Sequence, residues 1–144
     1  MQITRETDYA ISCILYMAKE PEKTYIVSEL AKPHYLPESF LAKILQKLVK
    51  SGFVKSIRGM KGGFLLAKKP NEISLLDVVE SIEGTIAINM CNIDDSKCAV
   101  CADCPVHPVW AEIKSDVESK LRMYDFETLS ARRELMAKAK VSLQ

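Results

Sequence analysis

Four of the five cysteines lie close together in the second half of the chain, and a histidine follows them. Their order is Cys91-x6-Cys98-x2-Cys101-x2-Cys104-x2-His107, a span of seventeen residues. Because the span is so short, these groups can reach one metal centre without help from distant parts of the chain. Thiolates bind soft metal centres, so the residue types point to zinc or to an iron–sulfur cluster.

Other interpretations of these cysteines have to be weighed against an iron–sulfur cluster. A structural Cys₃His zinc site also fits the residue types, whereas a loop of free thiols is disfavoured because exposed thiols this dense oxidise. The Cys98-x2-Cys101-x2-Cys104 run is similar to the bacterial ferredoxin pattern. However, Pro105 directly follows Cys104, and the fourth ferredoxin Cys-Pro is absent, which disfavours pure electron transfer. Cys13 lies among aliphatic residues and is predicted to be a core thiol.

Composition and length favour a soluble protein of about one domain. The chain has 144 residues, of which 48% are hydrophobic, enough to bury a real core. It contains no run of eighteen apolar residues, and its first ten residues do not have the pattern of a secretory signal. An odd number of cysteines, most of them clustered, argues against a secreted disulfide framework. We therefore expect a cytoplasmic protein that does not bind a membrane.

The small net charge of +1 conceals an uneven distribution. Residues 1–70 hold twelve basic and six acidic side chains, a balance of +6, and residues 71–144 hold eight and thirteen, a balance of −5. Between Ser39 and Asn71 there are eight basic side chains and no acidic one. This asymmetry favours an N-terminal half that binds a polyanion, although a solvated lysine-rich face would have the same composition.

The pattern of elements in this basic half is that of a winged helix-turn-helix. Apolar spacing predicts helices over 7–19, 27–32 and 37–50, with prolines 33 and 37 marking the turn between the second and third. Two β-prone runs, 53–57 and 64–67, are joined by the glycine-rich segment RGMKGG. The third helix is the candidate for the major groove of DNA, and the hairpin is the wing.

Four side chains are the candidates for DNA contacts. Ser39 and Lys43 lie in the first turns of the third helix, where base edges would be met. Arg58 lies at the wing tip, where a guanidinium can enter the narrow and strongly negative minor groove, and Lys61 can support phosphate or minor-groove contacts. These positions predict double-stranded DNA as the partner.

The second half supplies a further helix, the cysteine loop and a long amphipathic helix. A helix is predicted over 74–83, with Ser74 as N-cap and Asp77 in a capping-box position. After the loop, one narrow apolar stripe recurs every three or four residues: Trp110, Ile113, Val117, Leu121 and Tyr124. A winged domain has little surface left to bury this stripe, so a second copy of the helix is the expected partner. The alternative is that the stripe packs back on the first helix.

The predicted fold is therefore mainly α. It comprises a winged helix-turn-helix DNA-binding domain at 1–84, a cysteine-rich cluster loop at 85–107, and a dimerisation helix with a C-terminal tail at 108–144. A homodimer of this kind would bind a near-palindromic operator.

The chain resembles the iron–sulfur branch of the Rrf-type winged-helix transcriptional regulators, the IscR/NsrR-like proteins. The resemblance extends over nearly the whole chain. It rests on the opening ITRETDYAI, the wing SIRGMKGGFLLAK with the following ISLLDVVESIEG, and the run Cys104-Pro-Val-His107-Pro-Val-Trp110. It implies a dimeric transcription factor whose affinity for DNA changes with the occupancy or redox state of its cluster.

The resemblance also implies a set of ligands. Cys91, Cys98 and Cys104 match the three family cysteines, and His107 matches the imidazole ligand of the IscR type. Asp8 matches a carboxylate that serves as fourth ligand in some NsrR-type members, where it comes from the partner subunit. The chain departs from the pattern because six residues separate Cys91 from Cys98, where five is typical, and because Cys101 is extra.

These departures leave the fourth ligand open among His107, Asp8 and Cys101. The match at His107 favours a [2Fe–2S] cluster over [4Fe–4S]. The expected function is a cluster-containing DNA-binding regulator, a repressor rather than an activator, that senses redox state, nitric oxide or iron–sulfur status. Alternatives are a zinc-bound or thiol-switch regulator and a small redox carrier. No catalytic constellation is present, so an enzyme is not expected.

Overall fold

The computed structural model describes residues 2–142 of the chain. The elements in chain order are helices α1 (Arg5–Met17), α2 (Val27–Ala31) and α3 (Glu38–Lys50), strands β1 (Val54–Ile57) and β2 (Gly63–Leu66), and helices α4 (Leu75–Glu83), α5 (His107–Arg122) and α6 (Phe126–Ser142). The prediction of a mainly α fold with a two-stranded wing and a long C-terminal helix is confirmed.

Helix α3 packs on α1 and α2 through one apolar face, as its spacing predicts. Leu41, Ile44, Leu45 and Leu48 have no exposed surface. Phe40, next to Leu41, remains 38% exposed and meets the ring of Tyr9 edge-on, with the ring centroids 6.1 Å apart. The opposite face of α3 is left to solvent, which is what a helix that enters a groove requires.

The wing is an antiparallel hairpin that is also joined to the segment before α2. Val54 pairs with Leu66 and Ile57 with Gly63, and an isolated bridge pairs Tyr25 with Phe64. In that bridge the Tyr25 amide donates to the Phe64 carbonyl at 2.8 Å, and the Phe64 amide donates to the Tyr25 carbonyl at 2.7 Å. The bridge anchors the base of the wing to the body of the domain.

Helix α4 begins with the predicted capping box. The Ser74 amide donates to Asp77 Oδ2 at 2.8 Å, and the Asp77 amide donates to Ser74 Oγ at 3.2 Å. At its other end, Glu83 accepts hydrogen bonds from Thr4 and Thr7 at the start of α1. Gly84 follows with a φ of 81°, a positive value that favours glycine, and ends the helix.

The C-terminal helices pack on the winged domain more closely than the sequence pattern indicates. Val117 and Leu121 are half-buried against a small cluster formed by Leu76, Val79 and Ile86. Phe126, the first residue of α6, has no exposed surface and lies in the main core. Part of the stripe on α5 is therefore covered within the chain, chiefly by α4.

No helix in the described part of the chain is long and apolar enough to cross a membrane.

Candidate metal centre and nucleic-acid interface

The segment between α4 and α5 folds as a series of short 3₁₀ turns, at Met90–Asn92, Asp95–Lys97 and Cys101–Asp103. Its first turn lies against α5, where Lys114 Nζ donates to the Asn92 carbonyl at 3.4 Å. Asn92 Oδ1 is buried without a hydrogen-bond partner in the described structure. An unpaired buried acceptor costs about 1–3 kcal/mol, so this turn is incompletely satisfied as it stands.

Three potential metal ligands converge where this segment meets α5. One donor atom from each of Cys91, Cys101 and His107 lies within 4.8 Å of the other two. Cys101 Sγ is 3.2 Å from His107 Nδ1. His107 is the first residue of α5, and Pro108 after it suits the first helical turn, where no amide donor is needed. The site is therefore built into the start of a helix.

A carboxylate stands beside these three side chains. Asp95 Oδ1 is 3.8 Å from Cys101 Sγ and 3.9 Å from His107 Nε2. Together with Cys98, these residues line an open cavity of about 470 Å³. Asp95 was not among the predicted ligands, although a pair of carboxylates at 94 and 95 inside a cysteine segment was a usable signal.

The electrostatics of the site disfavour the thiolate form of Cys101. Burial raises the pKa of the Cys101 thiol to about 11, and the nearby Asp95 carboxylate and the thiol of Cys91 add to the rise. A soft cation would reverse this preference, because it favours deprotonated sulfur.

The structure brings together some of the expected ligands but not all. Cys91 and His107 are in the group, and Cys98 lines the same cavity. Cys104 is half-buried and outside the group of three, whereas Cys101, treated as extra in the sequence, is inside it. Asp8 is exposed on α1 and belongs to no group of three potential ligands among residues 2–142. The donor chemistry, thiols with an imidazole, fits an iron–sulfur cluster as well as zinc.

All four side chains that are predicted to contact DNA are exposed to solvent. Ser39 and Lys43 are exposed on α3, and Arg58 and Lys61 are exposed in the wing loop. By contrast, Lys47 on α3 is paired with Glu6 of α1, with Nζ and Oε1 2.7 Å apart.

Two exposed side chains beside these positions were missed by the sequence analysis. Tyr35, in the turn before α3, has a φ of 53° and is 97% exposed, and Met60 is fully exposed at the wing tip. A non-glycine residue with positive φ in a helix-turn-helix turn is a conformation that sequence patterns do not reveal.

The fold and the exposed basic surface are those of winged-helix DNA-binding proteins. The family model for Rrf2, described as an iron-dependent transcriptional regulator, matches residues 3–132. The chain belongs to the Rrf2 family of transcriptional regulators, which bind DNA.

Two curated relatives are similar over most of their length. The HTH-type transcriptional regulator NsrR of Shouchella clausii (strain KSM-K16) is 30% identical over 131 residues, 90% of this chain and 88% of that protein. A protein of Aquifex aeolicus (strain VF5), provisionally named an HTH-type transcriptional regulator, is 38% identical over 112 residues, 76% of this chain and 78% of the relative. These relatives are regulators rather than enzymes.

Solved structures show the same fold at lower identity. CymR of B. subtilis, described as its global cysteine regulator, has a TM-score of 0.73 at 23% identity, covering 92% of this chain and 98% of that one. IscR of T. potens has a TM-score of 0.69 at 22% identity, covering 92% and 88%. At this identity the likeness concerns the fold alone.

Proposed function

We propose that this Rrf2-family regulator is an iron–sulfur sensor, in which a cluster held by residues 91–107 controls binding to operator DNA. The observation that carries the proposal is the donor chemistry of this segment, in which Cys91 and His107 lie together at the first turn of α5 and Cys98 lines the cavity beside them. The similarity to NsrR supports it. Because the proposed regulator acts on operator DNA, we propose that it is located in the cytoplasm and has no membrane partner.

The proposed cluster ligands are Cys91, Cys98, Cys104 and His107, with Cys101 or Asp8 as the alternatives for the fourth position. An imidazole ligand favours a [2Fe–2S] cluster over [4Fe–4S]. When bound, the cluster supplies a centre that oxidants or nitric oxide alter. Cys98 lines the cavity beside His107, and the unsatisfied Asn92 favours a segment that can rearrange around the cluster.

The chain's own residues explain how such a change reaches the DNA. The ligand segment contacts α5 through the bond from Lys114 to Asn92, and α5 packs on α4 through Val117 and Leu121. Helix α4 is in turn joined to the first turn of α1 through Glu83. Ordering or releasing residues 91–107 therefore biases the placement of the winged domain relative to α5. Repression of transcription is the proposed outcome.

The DNA is bound by α3 in the major groove and by the wing in the minor groove. Ser39 and Lys43 are proposed to read base edges, with Arg58 and Lys61 in minor-groove or phosphate contacts. A near-palindromic operator follows if the regulator is a homodimer.

We propose that a homodimer forms on the part of α5 that the chain itself leaves uncovered. Val109 and Ile113 are 48% and 38% exposed, whereas Val117 and Leu121 are engaged with the α4 cluster. Sedimentation equilibrium of Ile113→Asp, compared with Ser115→Asp at an exposed position on the same helix, tests this. We expect Ile113→Asp to be monomeric and to lose cooperative binding to a palindrome. A wild type that is monomeric at micromolar concentration would contradict the dimer.

The decisive test of the sensor is metal analysis coupled to DNA binding. After anaerobic purification we expect iron and acid-labile sulfide in the wild type, and their loss in Cys91→Ala, Cys98→Ala and Cys104→Ala. DNA affinity should differ between cluster-loaded and cluster-free protein, with Lys138→Ala, an exposed position on α6, as the unaffected control. A protein without iron or sulfide under strict anaerobiosis, or equal DNA affinity in both states, would contradict the proposal.

A second candidate is a zinc-bound or thiol-switch regulator with the same DNA-binding surface. The proximity of Cys101 to Cys91 and His107 favours it, because three donors this close need only one ion. Stoichiometric zinc in place of iron in the purified protein would decide for it.

A further inference from the structure

The ligand atoms at the start of α5 are spaced as the corners of a single-ion site. In a tetrahedral zinc site with a Zn–S distance of about 2.3 Å and a Zn–N or Zn–O distance of about 2.1 Å, neighbouring ligand atoms are about 3.6 Å apart. Cys101 Sγ is 3.2 Å from His107 Nδ1 and 3.8 Å from Asp95 Oδ1. Cys91 lies within 4.8 Å of Cys101 and His107, whereas Asp95 is outside that group. Asp95 Oδ1 faces the other imidazole nitrogen, Nε2, at 3.9 Å, so this carboxylate has to turn towards Nδ1 to become the fourth ligand.

An iron–sulfur cluster would require a wider arrangement. Its protein ligands are divided among two or four iron atoms, and bridging sulfides occupy the space between them. Three donors within 4.8 Å of one another leave no room for that core, but they need only small adjustments to surround one ion. The three donor atoms are therefore spaced for a single metal ion and not for the iron–sulfur cluster of the proposed sensor.

We propose that the cluster-free protein binds one zinc-type divalent ion through Cys91, Cys101, His107 and Asp95. Two thiolates, one carboxylate and a neutral imidazole form a closed four-coordinate donor set that a borderline-soft ion such as Zn²⁺ accepts. This inference rests on the proposed function, because it gives the same segment a second metal state. The two states share Cys91 and His107 and differ in the other two ligands.

The exchange of ligands gives a role to Cys101 and Asp95, which are not in the main set of proposed cluster ligands. In the zinc state Cys101 and Asp95 are ligands, and Cys98 and Cys104 are free. In the cluster state Cys98 and Cys104 replace them. The chain then has an ordered ligand segment at α5 both with and without iron, and the two metals compete for Cys91 and His107.

The full-length protein, freed of metal under anaerobic reducing conditions, is titrated with Co²⁺ and then with Zn²⁺. We expect one equivalent of Co²⁺ to give the intense visible bands and the sulfur-to-cobalt absorption of a tetrahedral thiolate site, and one equivalent of Zn²⁺ to remove them. Cys101→Ser should weaken zinc binding at least about a hundredfold and Asp95→Asn about tenfold. Cys104→Ser, the matched control in the same segment, should bind zinc as the wild type does.

Reconstitution of the same variants with iron and sulfide separates this inference from the proposed function. We expect Cys104→Ser to lose the cluster while it retains zinc, and Cys101→Ser to do the reverse. If zinc binding is equally weakened by Cys104→Ser and Cys101→Ser, or unaffected by Cys101→Ser, the zinc site is wrong. If the wild type takes up zinc as described but never iron and sulfide, the zinc site stands and the iron–sulfur sensor fails.

Discussion

Arg58 and Lys43 are the basic side chains whose loss should change DNA binding most directly. Neither takes part in an ion pair among residues 2–142, whereas Lys47 on the same helix as Lys43 is held by Glu6. A basic side chain that is not engaged within the protein can meet DNA without first breaking a contact. Lys43 and Lys47 are the same residue type on the same helix, but only Lys47 is held in an ion pair within the described residues.

We expect Lys43→Ala to cost about 1–3 kcal/mol on the operator and to relax base preference, since a base contact is lost. Arg58→Ala should weaken operator binding, and Lys61→Ala should reduce the slope of log affinity against log salt by about one unit. Fluorescence anisotropy at several salt concentrations measures both effects, with Lys138→Ala as the control. Unchanged affinity in Arg58→Ala would exclude entry of the wing into the groove.

Cys13 differs from the other cysteines in chemistry as well as in position. Burial raises its pKa to about 12, and its side chain has no exposed surface. We therefore expect iodoacetamide at pH 8 to modify the partly exposed Cys98 and Cys104 in the metal-free folded protein but to spare Cys13, because the thiolate is the nucleophile. Mass spectrometry of peptides from native and urea-unfolded protein checks this. Modification of Cys13 in the native sample at the rate of Cys98 would contradict it.

At the level of elements, the contact between α1 and α4 includes hydrogen bonds to one carboxylate. Glu83 accepts hydrogen bonds from the Thr4 amide at 3.0 Å, from Thr4 Oγ1 at 2.6 Å and from Thr7 Oγ1. These hydroxyl donors hold the pKa of Glu83 below its ordinary value of 4.5. Because the folded state lowers this pKa, the contact adds stability at neutral pH and loses it as pH falls below about 4.5.

Thr7→Val keeps the shape of the buried side chain and removes its donor. We expect it to lower the free energy of unfolding by about 1 kcal/mol at pH 7. The difference from the wild type should shrink as pH falls below 4.5, because Glu83 is then protonated in the unfolded state before it is protonated in the folded state. Urea unfolding at pH 7 and pH 3.5 measures this, with the exposed Thr85→Val as control. If the difference in the free energy of unfolding is the same at both pH values, the hydrogen bond to Glu83 is not the cause of that difference.

The wing depends on a glycine at the point where it touches the body of the domain. Gly63 has a φ of 155°, and a Cβ on it would overlap the Tyr25 carbonyl that accepts the Phe64 amide. We expect Gly63→Ala to break the Tyr25–Phe64 bridge, to destabilise the protein by about 1–3 kcal/mol and to weaken DNA binding. Hydrogen exchange at the Tyr25 and Phe64 amides measures the loss. Gly52→Ala also has positive φ but meets no atom within 4 Å, so it controls for backbone strain alone.

At the scale of the whole molecule, the C-terminal helices and the winged domain share one core. Phe126 lies at the start of α6, is fully buried, and its amide donates to the Ile73 carbonyl at 3.0 Å. We expect Phe126→Ala to cost about 3–5 kcal/mol, whereas Leu135→Ala, 68% exposed on the same helix, should change stability by less than about 0.5 kcal/mol. Urea unfolding measures both. Equal effects would contradict a core that includes α6.

Local chemistry is what the sequence determined by itself. The apolar spacing of α3, the capping box at Ser74 and the glycine-rich hairpin act over a few residues, so their pattern was enough to predict a winged helix-turn-helix. The cysteine segment was recognisable for the same reason, since its donors lie within seventeen residues. The resemblance to Rrf-type regulators also came from short motifs, and it is confirmed.

The tertiary structure decided which of these groups meet. Spacing along the chain ranks Cys101 as the extra cysteine, but the turns at 95–97 and 101–103 carry it to His107 and leave Cys104 outside. The sequence pattern assigns Phe126 to a separate C-terminal segment, but its side chain lies in the main core. Likewise, α4 covers Val117 and Leu121 before any partner can. Contacts between residues far apart in sequence depend on how loops turn and elements pack, and the periodicity of a single element contains no information about either.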